Sequence, residues 1–517
     1  MEDPQLDSGA QSHGQFFGHP KALWFLLLTE MWERFSFYGM SALLVLYLRK
    51  HFLFTENIAY GIYGSYMALA TATPVLGGWL ADRFLGQRKA VVMGAILMVL
   101  GHFGMAFEGE QATSVSGNIV RDKNALQVFY FSLACLILGV GFLKPNITTI
   151  IGKLYEKHDP KRESGFTIFQ MGIMSGGFLA ALFCGYLGEN YGWKYGFGIA
   201  GVGMLFGLVF FLWGQRFLLK RAEPPDIHKL NQPYIARLSR MHIIHLGTIV
   251  AVLIAWKLVQ YSEVVGVLLL LFTICIVISM FYIALYRCST LERDRLFSLM
   301  SLMVLMIAFA VLIEQHGSSM ISFADRNVNR QLDSIGSEGE VKASQFKAVL
   351  PLTMMLFAPL FAWLWPVLAK RNMNPSSPAK FGWAILFVSL GFFMLAYGIS
   401  QTDSSNQVSM FWLIGTYALF GVSDIFYAAV CYSSVTSLSP SSLTGFMMGG
   451  MMLTVSIGHY ISAGIARFFA VPQDADPGIS LSIYSSLYTT LALASVFVLS
   501  IVIVVTPFIR RRMHGIN

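Results

Sequence analysis

Charge is what this chain has least of. Only 12% of its 517 residues are Asp, Glu, Lys or Arg, while 55% are hydrophobic. That balance excludes an ordinary soluble domain and points to a polytopic helical membrane protein. Cysteine is also scarce. Cys135, Cys184, Cys275, Cys288 and Cys431 are scattered in or beside apolar segments, without metal-ligand spacing or a disulfide framework. No glycine-rich phosphate cradle ends in Lys-Ser or Lys-Thr, so ATP-driven transport is not expected. No nucleophile–base pair stands out, and enzyme activity is not expected. The first twenty residues are polar, with no short apolar core and no small-residue cleavage site, so the first helix is expected to stay in the mature protein. The net charge of +8 sits in short loops between apolar spans, a topology signal rather than a nucleic-acid footprint.

What the chain does have is about fourteen apolar stretches, each long enough to cross a bilayer at ~20 residues per crossing. Six lie at about 22–48, 57–80, 88–108, 125–151, 164–190 and 194–218. A polar, basic linker with Glu223-Pro224-Pro225 follows, then two spans at about 242–260 and 263–286 with little polar content apart from Lys257. Six more occupy about 296–323, 346–368, 379–400, 408–435, 440–467 and 479–509. The expected organisation is a tail (1–21), a six-helix bundle (22–218), a linker with two inserted helices (219–295), a second six-helix bundle (296–509) and a second tail (510–517). Arg83, Arg88, Lys89, Lys153, Lys157, Lys161, Arg162, Lys220, Arg221, Arg293, Arg295, Lys370, Arg371 and the terminal arginines gather on one side, which places both termini in the cytoplasm of a plasma-membrane protein. The loop at about 325–344 is then external.

Charges inside the spans are costly, roughly 2.5–3.5 kcal/mol each at the bilayer centre, so each one asks for a reason. Helical spacing puts Glu30, Glu33 and Arg34 on one face of the first span, followed by Phe37, Tyr38 and Ser41. Such a cluster either ties two helices together or faces a polar cavity and carries function; an ion pair that breaks on protonation does both. Lys144-Pro145-Asn146 sits deep in the fourth span, too far from either end for the lysine to snorkel, and Glu30 or Glu33 is its natural partner. Glu314 follows about eighteen residues of helix, without a strong cation nearby in sequence, and is a candidate proton-exchanging carboxylate. Asp424 either binds a cationic group of a substrate or hydrogen-bonds Ser423 or Tyr427. His459 reads as a satisfied packing residue, and the Met447–Met452 run as flexible packing rather than a metal site. Between the second and third spans, 78–89 carry an ordered Gly-x-x-x-Asp-Arg and Gly-x-Arg-Lys pattern that resembles the loop signature of the major facilitator superfamily.

Taken in order, these motifs resemble the proton-coupled oligopeptide transporter family of that superfamily, over nearly the whole chain. Glu30-Met31-Trp32-Glu33-Arg34 looks like the family's Glu-x-x-Glu-Arg helix. Leu143-Lys144-Pro145-Asn146 resembles its fourth-helix lysine motif, and Phe166-Thr167-Ile168-Phe169 opens its fifth-helix signature. Glu314-Gln315-x-Gly317-Ser318-Ser319 resembles its seventh helix and Ala362-Trp363-Leu364-Trp365 its eighth. The resemblance implies an all-α major facilitator fold, two six-helix bundles with two inserted helices, and proton-driven uptake of di- and tripeptides by rocking of the halves. It implies the proton as coupling ion with no other cofactor, a small-molecule substrate, a lipid bilayer as surroundings and a functional monomer. Proton coupling falls to Glu30, Glu33, Arg34, Lys144 and Glu314, and substrate contacts to Tyr38, Thr71, Gln170, Met174, Glu314 and Asp424.

The chain departs from the family's usual residues at Phe37, Ser41 (commonly arginine), Thr71, the stretch Gln170-Met171-Gly172-Ile173-Met174, Leu350, Asp424 and Met451. These departures favour a modified substrate, since lost hydrogen-bond partners change what a site accepts. The alternatives are the same proton-driven machinery carrying a non-peptide solute such as an amine-bearing metabolite, an exporter, or a receptor that keeps the fold without turnover.

Overall fold

The computed structural model describes residues 15–515, apart from 157, 158, 160, 219–221, 236, 237, 333–337, 372, 374, 403, 404, 441 and 442. Lys157, Lys220, Arg221, most of the first tail and the middle of the 325–344 loop lie outside the described residues.

The long apolar stretches are helices. In chain order they are α1 (Lys21–Lys50), α2 (Glu56–Ala72), α3 (Pro74–Leu80), α4 (Gln87–Met105), α5 (Lys123–Leu154), α6 (Lys161–Tyr191), α7 (Trp193–Gly214), the short α8 (Ile227–Asn231), α9 (Arg240–Leu258) and α10 (Ser262–Tyr286). They continue with α11 (Thr290–Ile313), α12 (Ser319–Asn327), α13 (Val349–Lys370), α14 (Ser377–Ser400), α15 (Met410–Leu438), α16 (Thr444–Phe468) and α17 (Pro477–Arg512). Eleven of the described segments are long and apolar enough to cross a membrane, with α11 and α12 counted as one. Three expected spans fall short of that mark and coincide with α1, with α2 plus α3, and with α16. In α1 the ionised cluster lowers the hydropathy; the second span is divided at Thr73, ahead of Pro74.

Two large buried clusters organise the molecule. One gathers residues mainly between Ala22 and Ala222, including Leu44, Tyr66, Ile147 and Phe197, with Val259 and Ala466 added; the other gathers residues mainly between Met280 and Met513, including Phe309, Phe392, Tyr417 and Tyr488, with Leu46 added. The inserted pair contributes little to either. Helix α9 rests on α5 through Val252 and Ala255 against Ala134 and Cys135, and α10 rests on α2 and α16 through Val265 and Leu269 against Ala68 and Leu453. The rest of α9 and α10 is mostly exposed, as expected of helices facing lipid.

The two halves meet most firmly on the face away from the chain termini. There Glu56, at the start of α2 and 1% exposed, accepts hydrogen bonds from Tyr60 Oη (3.0 Å), Tyr484 Oη (3.1 Å), Arg326 Nε (2.9 Å) and the Val471 backbone N–H (3.0 Å). Lys50 pairs with Asp325 at 2.5 Å, and Glu189 of α6 accepts from the Ser344 amide at 2.9 Å. On the face carrying the termini, the first turns of α6 and the last turns of α13 are largely exposed. The 78–89 motif lies on this face. Asp82 accepts from Gln87 (2.6 Å), Lys153 donates to Gln87 (2.8 Å), and Arg88 pairs with Glu223 of the linker (2.6 Å).

Candidate functional site

A cavity of about 210 Å³ lies between the halves. Its first-half wall comes from α1 (Arg34, Tyr38, Ser41), α2 (Tyr63, Thr71), α5 (Lys144) and α6 (Met174); its second-half wall includes Glu314, His316, Lys347, Asp424 and His459.

The first-half wall is built around one saturated cation. Arg34, 2% exposed, makes a two-pronged contact with Glu33: its Nε meets one carboxylate oxygen and its terminal nitrogen donates to the other at 2.5 Å. Glu30, one turn earlier, faces Arg34 Nε at 3.6 Å. The guanidinium fork matches a carboxylate edge, and i,i+4 spacing brings the second acid within reach. Glu30 and Glu33 are 1% and 0% exposed and stand behind Arg34 rather than in the cavity wall. Close packing holds the cluster. A Cβ at Gly176 of α6 would come within 2.2 Å of the Met31 carbonyl, so only glycine lets α6 approach this closely.

Lys144 departs from expectation. The sequence pairs it with Glu30 or Glu33, but Arg34 holds both acids. No carboxylate lies within 4 Å of the Lys144 ammonium among the described residues. Asn146, two residues on, donates to the Phe142 carbonyl (2.7 Å) and the Gly77 carbonyl (3.4 Å), so the motif also clamps α5 to α3.

The second-half wall is assembled from distant segments. After Ile313 the seventh main helix tightens into a 3₁₀ turn, Glu314–Gly317, before α12 resumes. Gln315 is drawn to the back of this turn, where it donates to the Ser462 carbonyl at 2.9 Å. Glu314 and His316 are left facing the cavity. Gly317 is required there, because a Cβ would come within 1.8 Å of Tyr63 Oη. Glu314 does not lack close partners, as its sequence surroundings suggested. His459 Nδ1 of α16 lies 3.0 Å from its Oε2, and His316 Nδ1 lies 3.7 Å away. His459, read from sequence as packing, thus faces a carboxylate. Lys347, in the turn before α13 and 6% exposed, also lines this wall and donates to Ser41 Oγ of α1 at 3.1 Å.

Asp424 of α15 makes no hydrogen bond to Ser423 or Tyr427 among the described residues. Ser423 turns away to the Ala384 carbonyl (2.7 Å), and Tyr427 stacks on Phe309 with ring centroids 4.1 Å apart. Asp424 itself faces the cavity and has no cation within 4 Å among the described residues. Tyr38, Thr71 and Met174 also stand in the wall. Thr71 spends its hydroxyl proton on the Met67 carbonyl at 2.7 Å, leaving only an acceptor to the cavity. Gln170 is exposed one turn from Met174, towards the termini, and does not line the cavity. Sequence reasoning missed His316, which sits inside the quoted seventh-helix motif, and Lys347, a lone lysine at the edge of an apolar span. Among the described residues no group of three or more His, Cys, Asp or Glu is placed to hold a metal ion.

The arrangement is a small enclosure between two halves with unpaired charges of opposite sign on opposite walls. Known proteins resemble the whole chain. The chain is 32% identical over 517 residues to the uncharacterized transporter YclF of Bacillus subtilis, covering 97% of this chain and 96% of that one. It is 31% identical to the peptide transporter YePEPT of Yersinia enterocolitica, covering 97% and 96%. The fold superposes on the crystal structure of the peptide transporter POT in complex with sulfate with a TM-score of 0.79, at 29% identity and 100% coverage of both chains. A POT family transporter in complex with a thioalcohol-conjugated peptide gives a TM-score of 0.80 at 25% identity, covering 97% of this chain. Residues 88–483 match the profile of the POT family, and with relatives this similar along its whole length the chain is a member of that family, a multi-span integral membrane transporter of the major facilitator type.

Proposed function

We propose that this protein carries di- and tripeptides, or closely peptide-like small molecules, inward across the plasma membrane together with protons. The observation that carries this reading is the pairing across the cavity. Lys144 on the first-half wall and Asp424 on the second each face the same space without an ion-pair partner among the described residues. A zwitterionic peptide supplies a carboxylate for the first and an ammonium for the second, and in a water-poor site each match is a charge-assisted hydrogen bond. Relatives named as dipeptide and tripeptide permeases, 28% identical over 496 residues, support peptides over a non-peptide solute.

Tyr38, Thr71 and Met174 shape the enclosure around the peptide. Glu314 contributes to both substrate and proton binding, and Gln170 meets the substrate at the cavity mouth rather than inside it. Arg34 holds Glu33 and Glu30 against the first helix at rest. Protons reaching Glu30, Glu33 or Glu314 change which charges Lys144 faces, and the halves rock about the cavity. The basic residues on the terminal face support a cytoplasmic position for both termini. The face stitched by Glu56 is then external and closed, with the cavity leading inward. Both walls come from one chain, which supports a functional monomer, and the proton is the coupling ion of this reading.

The test is uptake into proteoliposomes under an imposed proton gradient, with labelled dipeptides beside their N-acetylated forms, single amino acids and amine-bearing metabolites. Accumulation of the free dipeptide, poor uptake of the acetylated form and collapse with a protonophore are expected. Gradient-driven accumulation of another solute without any peptide uptake overturns the substrate assignment.

A further inference from the structure

Glu314 and His459 meet in a way that constrains where protons sit. Glu314 Oε2 and His459 Nδ1 are 3.0 Å apart, and neither atom has a well-formed hydrogen bond to any other group among the described residues. A carboxylate oxygen and an imidazole nitrogen at that separation cannot both present bare lone pairs, so one proton must lie between them. With that proton on the imidazole the pair is a neutral histidine beside a carboxylate, and a second proton removes the remaining negative charge. The two residues come from separate segments, the 3₁₀ turn after α11 and the middle of α16, and both line the cavity.

Lys347 is the second observation. Its ammonium, buried beside the cavity, has no carboxylate within 4 Å among the described residues. Its hydrogen bond goes instead to Ser41 Oγ at 3.1 Å, across the gap between halves. The position on α1 that resembles the family's arginine is therefore occupied by a hydroxyl that receives a cation from the opposite half. Glu314 has its charged and titratable neighbours Lys347, His316 and His459 in its own half.

We propose that Glu314 and His459 form a dyad that takes up the coupling proton, and that Lys347, tied to Ser41, is the group through which the dyad's charge acts on the first half. The proton arrives from water on the external face and leaves to water on the cytoplasmic face, with no net change in the protein over a cycle. In the proton-poor state the dyad carries one negative charge that holds the Lys347 cation in place. In the proton-loaded state that attraction is lost, and Lys347, the cavity cation bonded across the halves among the described residues, no longer has its counter-charge. Other charged and titratable groups face the dyad from every side: His316 on its own turn, Arg34 and Tyr38 on α1, Tyr63 on α2, Lys144 on α5 and Asp424 on α15. Arg34 is saturated by Glu33 and Glu30, and Lys144 and Asp424 are left for the peptide termini. The dyad is thus the cavity group whose charge changes while Lys144 and Asp424 keep their contacts with the peptide termini.

This rests on the proton-coupled reading above, and its test includes a readout that needs no transport. Infrared difference spectra of the purified full-length protein between pH 8 and pH 5 should show a protonated-carboxyl band that disappears in Glu314→Gln and shifts in frequency and midpoint in His459→Gln. In proteoliposomes, the ratio of gradient-driven peptide uptake to peptide counterflow should fall about tenfold in His459→Gln, within the usual range of coupling between sites. The rise of uptake with external acidity should flatten. Lys347→Gln should lower the same ratio, and Lys347→Arg should restore most of it. An unchanged carboxyl band and pH profile in His459→Gln overturns the dyad. Equal loss of uptake and counterflow, with an unshifted band, also overturns it, because that is the signature of packing alone. If the wild-type protein shows no gradient-driven peptide uptake but the band behaves as described, the transport reading fails and the dyad stands.

Discussion

The two walls of the cavity solve the same problem, charge inside an apolar protein, in opposite ways. On the first-half wall Arg34 is closed off by two acids of its own helix within four residues of sequence, all but sealed from the cavity. On the second-half wall Glu314, His316, Lys347, Asp424 and His459 arrive from four separate segments, and none makes an ion pair as complete as Arg34 with Glu33. A saturated pair is costly to break because either partner, left alone, keeps its desolvation penalty. An open set can accept a proton or a ligand charge at small cost. The first wall, Lys144 apart, is thus suited to holding geometry and the second to responding.

The largest effect is expected where the saturated wall is broken. Arg34→Ala leaves Glu33 buried without its partner and should destabilise the protein by ~3–5 kcal/mol, seen as a drop in melting temperature in detergent together with loss of uptake. If Arg34→Ala melts like the wild-type protein, the wall is not a structural clamp. Next come the open charges. Asp424→Asn and Lys144→Gln each remove one charge-assisted contact worth about 1.5–3 kcal/mol, so KM for a free dipeptide should rise by roughly 10- to 100-fold with melting temperature nearly unchanged. Asp424→Asn should also erase the preference for a free dipeptide over its N-acetylated form; a preserved preference would place the ammonium elsewhere.

Smaller effects sharpen the contrast. Gly317→Ala drives a methyl into Tyr63 Oη and should cost about 1–3 kcal/mol by overpacking, with part of that recovered in the double variant with Tyr63→Phe. Absence of recovery would mean the strain lies in the backbone of the turn. The smallest effect concerns acid outside the cavity. Asp122 caps α5 by accepting from the Asn124 and Ala125 amides at 2.9 and 3.0 Å, and these bonds hold its carboxyl below its ordinary value. A lowered carboxyl contributes stability above its unfolded-state pKa and loses it only as pH falls through the lower folded value. Between pH 5 and 8 the cap is therefore constant, and Asp122→Asn should leave the shape of the uptake–pH profile unchanged.

The same contrast explains what was legible in the sequence. The Glu30, Glu33 and Arg34 cluster is local, so helical spacing alone assembles it. Lys144 could be placed at depth, but the pairing with Glu30 or Glu33 expected from sequence is not the one formed, because spacing does not say that Arg34 would take both acids. His459 was visible as an interior histidine, yet nothing within its own helix announces Glu314, 145 positions earlier in the chain. Lys347 sits at the edge of an apolar span, where a lysine ordinarily snorkels to water. Only the fold turns it inward to Ser41. His316 was hidden by periodicity, since residues two apart on an α-helix point to different sides; the 3₁₀ turn brings it back beside Glu314. Gln170, read from sequence as a substrate contact, stands one turn short of the cavity lining along α6, a depth that its motif position does not reveal. Helix existence followed from hydropathy, while the breaks at Thr73 and at Glu314–Gly317 depend on contacts with other helices.

The most direct measurement of the central claim, that peptide and proton pass together through one cavity, uses proteoliposomes loaded with a pH-sensitive dye at equal pH on both sides. Adding an external dipeptide should acidify the interior at a rate proportional to peptide entry, and the acidification should vanish in Asp424→Asn at peptide concentrations below its raised KM. Peptide entry without any acidification, or acidification independent of peptide, would contradict the account.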